Sequence, residues 1–264
     1  MKNCLLAVIA IASVLFFAGP IGATSWSTDQ SDLYGDPNES GWGAQFVQRG
    51  SVLVVTIYVY NTTNTAIWYN AALAATATSS VWQGDLYEYR GPWLGAVPFD
   101  PSAVQSRKVG TMTWQSQSMD GGMLTYTVDG VTVTKNIKRF TFAVDDFSGT
   151  YVGALSGTAT GCTNPSGIGT AEGVIAIAVL QNGSNITLRL AYPDGSACTL
   201  SGVLTQSGQF GKAAGTMTCE AGDSGTFQIS EMIVGVGYLA GRIVVNDNSS
   251  CRNDGTFAAV RNLP

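Results

Sequence analysis

No histidine occurs anywhere in the sequence. That absence removes Ser-His-Asp and Cys-His catalysis, histidine acid–base chemistry and most catalytic zinc sites. Charge is scarce too: Asp, Glu, Lys and Arg make up 12% of the 264 residues, and the net charge is −5. The basic residues are scattered. Their one cluster, Lys135, Lys138 and Arg139, is divided between two faces by strand spacing, so nucleic acid is not an expected partner. No phosphate-binding loop or dinucleotide fingerprint is present, and no segment carries a capped apolar stripe of helical period. Tryptophan is missing after Trp114, and between Cys4 and Cys162 there is no cysteine.

The one long apolar run lies at the start. Met1-Lys2-Asn3 gives a positive n-region, Leu5 to Ala18 an apolar stretch, and Gly19 to Ala23 small residues suited to cleavage. Residues 1–23 therefore read as a signal peptide cut after Ala23, and the mature chain as secreted or periplasmic. The run is short for a spanning helix. Frequent glycine and the ending Asn262-Leu263-Pro264 are unlike the strands of an outer-membrane barrel, so no membrane insertion of the mature chain is expected.

What the chain does contain is glycine, 32 residues of it, with short apolar runs between Gly, Asn and Asp clusters. This spacing predicts an all-β, antiparallel protein. In the first half Gly35-Asp36-Pro37-Asn38 is a dense turn signal, and 24–35 reads as an N-terminal linker before it. From Leu53 the odd positions Leu53, Val55, Ile57 and Val59 are apolar and the even positions Thr56, Tyr58 and Tyr60 are polar or amphipathic, the period of a strand with one inward face. Seven strands are expected, beginning near Gly43, Val52, Thr65, Val81, Lys108, Met123 and Val131, with the proline-containing segment 95–105 as a long surface loop.

Asn38-Glu39-Ser40-Gly41-Trp42-Gly43, a Tyr-rich strand and Ile67-Trp68-Tyr69 open an ordered set of motifs. Gly84-Asp85-Leu86-Tyr87, Gly91-Pro92, Val109-Gly110-Thr111, Leu124-Thr125-Tyr126 and Lys135 to Arg139 complete it. Over roughly residues 34–143 the set resembles a β-domain common in exported proteins of Gram-negative bacteria. The resemblance implies an extracytoplasmic β-domain, and with no established activity in that family it carries over no catalytic residue.

Texture changes at Asp145-Asp146. All six tryptophans precede it, and Cys162, Cys198, Cys219 and Cys251 follow it. Two antiparallel barrel or sandwich modules are therefore expected, 36–144 and 145–264. In the second, strands at 149–161, 170–181, 185–192, 197–206, 210–219, 225–233, 238–246 and 255–261, joined by short turns, favour an up-and-down meander closed into a barrel. Gly149-Thr150-Tyr151 and later Gly-Thr strand entries are similar to avidin-like or lipocalin-like barrels. Such a meander places Cys198 opposite Cys219 across a hairpin, and Cys162 beside Cys251 where first and last strands meet.

Candidate chemistry is sparse. The carboxylate pairs Asp36/Glu39 and Asp85/Glu88 are those that could serve a glycosidase. Residues 85 and 88 fall on opposite faces of a strand, and 36 and 39 lie in a turn that accounts for them. The cluster Asp29, Asp32, Asp36, Asn38 and Glu39 has oxygen ligands suited to calcium but irregular spacing, and reads as an acidic turn. No metal or cofactor is expected. Tyr58 and Tyr60 share one face of a strand, and Tyr87 and Tyr89 one face of another, as in a surface that contacts a glycan or another exported protein; filling a core is the competing role. The run Val174 to Leu180 is apolar on both faces, and small Ala176 and Ala178 could leave a hollow in the second barrel. The reading is a non-enzymatic exported binding or surface module. An apolar-ligand barrel and a carbohydrate-active enzyme stand as alternatives.

Overall fold

The computed structural model describes residues 29–78 and 80–262; the expected signal peptide lies outside them. The protein is all-β, and its strands form two closed antiparallel barrels of eight, joined end to end in the chain.

The first barrel contains β1 (Asp32–Gly35), β2 (Gly43–Arg49), β3 (Val52–Tyr60), β4 (Ala66–Ala75), β5 (Val81–Arg90), β6 (Gln105–Ser118), β7 (Gly121–Val128) and β8 (Val131–Arg139). β1 corrects the sequence reading, because it lies within the stretch 24–35 taken as a linker and supplies the eighth strand. Four residues are too few to show a period of two, yet Tyr34 within them is fully buried. In β3 the alternation is real: Leu53, Val55 and Ile57 are buried, while Tyr58 and Tyr60 face out. The lumen is packed with rings. Trp114 meets Phe46 edge-on at 4.9 Å and Tyr34 at 5.4 Å, and its indole N–H donates to Gln30 Oε1 at 3.0 Å. Large interlocked rings leave this barrel solid.

The second barrel contains β9 (Gly149–Thr160), β10 (Gly169–Asn182), β11 (Asn185–Ala191), β12 (Ala197–Ser207), β13 (Phe210–Cys219), β14 (Ser224–Val234), β15 (Tyr238–Asp247) and β16 (Arg252–Arg261). Every neighbour in sequence pairs antiparallel, and β16 closes on β9 through ten register pairs. Its core is aliphatic, built on Ile175, Ile177, Leu188, Leu200, Ile229 and Phe257. Cys162 is bonded to Cys251 and Cys198 to Cys219. The second pair are direct cross-strand partners in the β12–β13 ladder.

Both barrels close on the same device. Tyr34 of β1 stands opposite Arg139 of β8, and Tyr151 of β9 opposite Arg261 of β16. In each, the guanidinium lies over the tyrosine ring at 5.1 Å, and the tyrosine hydroxyl donates to the carbonyl four residues earlier, Gln30 or Phe147. The match was not visible in the sequence, since one Tyr and one Arg about a hundred residues apart (105 in the first barrel, 139 − 34; 110 in the second, 261 − 151) make no local pattern.

The barrels dock through this seam. Asp32, the ion-pair partner of Arg139 at 3.0 Å, also accepts the Gln209 backbone N–H from the β12–β13 turn. Arg139 lies over the Phe210 ring at 4.8 Å, and Lys212 pairs with Asp120 at 2.7 Å. Gly208, at φ +57°, lets that turn come so close: a Cβ there would sit 2.0 Å from Asp32 Oδ2. Between the barrels Phe142 and Val144 are exposed, and Phe147 is buried in the second core.

Candidate functional site

The turns after β1, β3, β5 and β7 gather at the end of the first barrel away from the second, and ion pairs occupy that end. Glu39 accepts from Lys135 Nζ at 2.7 Å with both oxygens and from the Trp42 indole at 3.1 Å. Trp42 packs on the core below, so the Gly-flanked indole plugs the barrel. Glu88 points inward, buried, and accepts from Arg107 at 2.6 Å and Arg90 at 2.8 Å; Arg107 also holds Asp129. Asp36 caps its own turn through the Asn38 N–H, and Asp85 pairs with Lys108 at 2.8 Å on the outer face. The two carboxylate pairs are thus held in turns and ion pairs. The acidic cluster is dispersed as well, with Asp32 on Arg139, Asp36 in its turn and Glu39 on Lys135.

The guanidinium of Arg107, helped by that of Arg90, holds the Glu88 carboxyl below the usual carboxylate range. With the folded value depressed, the unfolded chain binds the extra proton first, so this stability is present above the unfolded value, near pH 4.3, and is lost as pH falls through the folded one. Glu88→Gln should therefore flatten the acid side of the stability profile below about pH 4.3, measured as melting temperature against pH. An unchanged profile would mean the cluster is not linked to folding.

The aromatic positions lie as the alternation places them. Tyr58 and Tyr60 are 49% and 60% exposed on β3, and Tyr87 and Tyr89 are half-buried on the outer face of β5. The structure adds Trp68 of β4, which stands opposite Tyr58 and stacks on Tyr89 at 5.4 Å with the planes 9° apart. Trp68 and Tyr89 therefore each turn one face toward the other, and of the four tyrosines Tyr58 and Tyr60 are the more exposed. Replacing both with Ser should shift stability by no more than about 0.5 kcal/mol, against 3–5 kcal/mol for a buried ring. A thermal melt of the double variant distinguishes the two.

The second barrel is open at its far end. The turns after β9, β11, β13 and β15 surround a cavity of about 530 Å³. Leu155, Leu190, Leu200, Met217, Ile243 and Val245 form its floor and lower wall. Deeper, Ile175, Ile177, Ile229 and Phe257 fill the interior, so the site is a cup and not a channel. The space comes from small inward residues, Gly157 and Ala159 of β9, Ala171 of β10 and Gly255 of β16. Ala176 and Ala178, the small residues that the sequence offered for a hollow, face outward, while Ile175, Ile177 and Val179 point in. The pattern Val174 to Leu180 fixes two apolar faces but not which one is inside.

Strand lengths open the mouth further. β10 pairs with β9 from Gly169 onward but meets β11 only from Ala176, leaving residues 169–175 with one neighbour. Both disulfides are at this end, and Cys198 and Cys219 pack against the upper edge of the core. Cys198 and Cys219 line the cup, and Cys162–Cys251 ties the β9–β10 loop to the start of β16. Tyr192, Asp223, Asp247 and Asn253 stand at the rim. Asp247 accepts from the Ser249 hydroxyl, from the Ser249 and Cys251 N–H groups and from Asn253 Nδ2. Burial opposes its ionisation, but these hydrogen bonds outweigh it and hold the carboxyl below its usual range.

No family model matches the chain, and no curated protein or solved structure matches it. The functional reading rests on this chain's own geometry. A cup with an aliphatic floor, a polar rim and a disulfide-fixed mouth has the size and lining of small-molecule sites, which run from about 300 to 1,000 Å³. No group of three or more metal-ligating side chains gathers among the described residues, and no described helix is long and apolar enough to cross a membrane.

Proposed function

We propose that the protein is an exported, non-catalytic binding protein that takes an apolar small molecule into the mouth of its second barrel. The observation that carries this is the 530 Å³ cup itself, open to solvent above and closed by aliphatic side chains below. Two disulfides at its rim suit an oxidising compartment, in line with the signal sequence. The first barrel, with its rings interlocked and its outer end plugged, acts in this reading as the scaffold docked behind the cup. Its resemblance to exported Gram-negative β-domains supports the same compartment.

The test is a titration with N-phenyl-1-naphthylamine, a neutral apolar dye whose emission rises on leaving water. One equivalent should bind per chain. Ala159→Phe, which places a ring in the cup from β9, should weaken binding by about tenfold or more, equivalent to about 1.4 kcal/mol. Absence of saturable binding, or equal binding by the variant, would remove the cup as the site. A second reading follows from the exposure of Tyr58 and Tyr60, whose rings could rest on a glycan or another exported protein. A glycan array probed with wild type and the Tyr58→Ser/Tyr60→Ser variant tests it.

A further inference from the structure

The charged side chains that line the cup are of one sign. Asp223, Asp247 and Asp254 belong to its lining, and no lysine or arginine does. They are not equivalent. Asp254 lies at an outward position of β16 and is paired with Arg252 at 3.6 Å. Asp247 points inward at the end of β15, and its negative charge is kept by neutral donors and not cancelled by a cation. Asp223, in the β13–β14 turn, is exposed and has no ion-pair partner among the described residues. The nearby acid Glu220 is already neutralised by Arg189 at 2.9 Å. Two uncompensated carboxylates thus bear on one mouth. The half-buried ring of Tyr192 lines the same mouth from the end of β11, and an aromatic face is an electron-rich surface of the kind that attracts organic cations.

From this geometry we infer that the ligand of the cup is a cationic amphiphile, an organic ammonium compound with an apolar tail. This deepens the proposed function and rests on the cup being the ligand site. The tail is buried against Leu155, Leu190, Leu200, Met217 and Ile243, where removing apolar surface from water drives binding. The positive head stays at the rim, near Asp223 and Asp247 and against Tyr192. It keeps part of its hydration there, so its charge is not forced into the aliphatic floor. An anionic head in the same place would meet like charge with no cationic side chain in the lining to compensate it. The preference is electrostatic and weakens as salt screens it.

Three probes with the same ten-carbon tail separate charge from burial: decyltrimethylammonium, decan-1-ol and decyl sulfate. The two ionic probes are used below their micelle thresholds, and the alcohol below its solubility limit, to displace N-phenyl-1-naphthylamine. Decyltrimethylammonium should displace the dye at about tenfold lower concentration than decan-1-ol, and decyl sulfate should be the weakest. Asp223→Asn should reduce the cation's advantage to about threefold and leave the alcohol unchanged. Tyr192→Leu should lower the same advantage while preserving an apolar wall. Circular dichroism of both variants reports that the barrel has folded. Equal displacement by all three probes would overturn the charge inference and leave the apolar cup intact, and so would displacement led by decyl sulfate. A cation advantage untouched in both variants would also overturn it. Failure of the dye to bind wild type would instead remove the cup reading itself, and this inference with it.

Discussion

Replacing Cys162 and Cys251 with alanine should lower the stability of the second barrel by about 4–5 kcal/mol in the chain-entropy account of cross-links. The two cysteines are 89 residues apart, so their bond encloses six of the eight strands, β10 to β15, and restricts the unfolded chain over that length. The shorter Cys198–Cys219 link, spanning 21 residues, should contribute about 3 kcal/mol on the same account. The ordering carries the test more than the absolute values. Denaturant unfolding followed by far-ultraviolet circular dichroism reads it, because the second barrel has no tryptophan to report on it. Dye binding should suffer in the same variant, since Cys162 anchors the loop whose Ile168 lies at the cup. If loss of the short link proves as costly as loss of the long one, native-state contacts and not unfolded-chain entropy set the effect.

Arg139→Ala should cost the first barrel about 3–5 kcal/mol, the range for removing one partner of a buried ion pair. The Arg139 side chain is 1% exposed. It donates to Asp32, to the carbonyls of Ser31 and Asp29, and to that of Met119. Backbone pairing at this seam is thin, with only Tyr34 opposite Arg139 and Gly35 opposite Lys138. The side chain therefore supplies closure that the ladder does not. Arg261, its counterpart, closes a seam of ten register pairs, so Arg261→Ala should cost less. Lysine at 139 should restore only part of the loss, because a point charge cannot reproduce the forked set of hydrogen bonds. Tryptophan emission during unfolding reports nothing from the second barrel, as no tryptophan lies beyond Trp114. Since Arg139 also touches Phe210, limited proteolysis near exposed Phe142 and Val144 should quicken in Arg139→Ala. A loss below about 1 kcal/mol would show that strand pairing alone closes the barrel.

Local rules account for much of this chain. Alternation from Leu53 to Val59 places its inward face correctly, and the Gly/Asn/Asp turns after Thr160 delimit all eight strands of the second barrel. A meander joined by short turns also sets which cysteines meet, because strand order alone brings 198 to 219 and 162 to 251. β1 escaped because four residues carry too little pattern, and its burial comes from β2, from Trp114 and from β8 over a hundred residues away.

The site was less legible than the fold. Charge, the missing histidine and the paired cysteines are properties of composition, and each limits chemistry wherever the residues lie. The period of two in Val174 to Leu180 cannot tell inside from outside when both faces are apolar, so Ala176 and Ala178 suggested a hollow that they do not line. The cup depends instead on Gly157, Ala159, Ala171 and Gly255, which come from three strands and meet only on closure. The sequence by itself determined the β class, the strand order and the cysteine partners, because these follow from neighbours in the chain. Only the tertiary structure decided that one barrel is solid and the other open, because filling a lumen depends on side-chain volumes summed around a ring of strands.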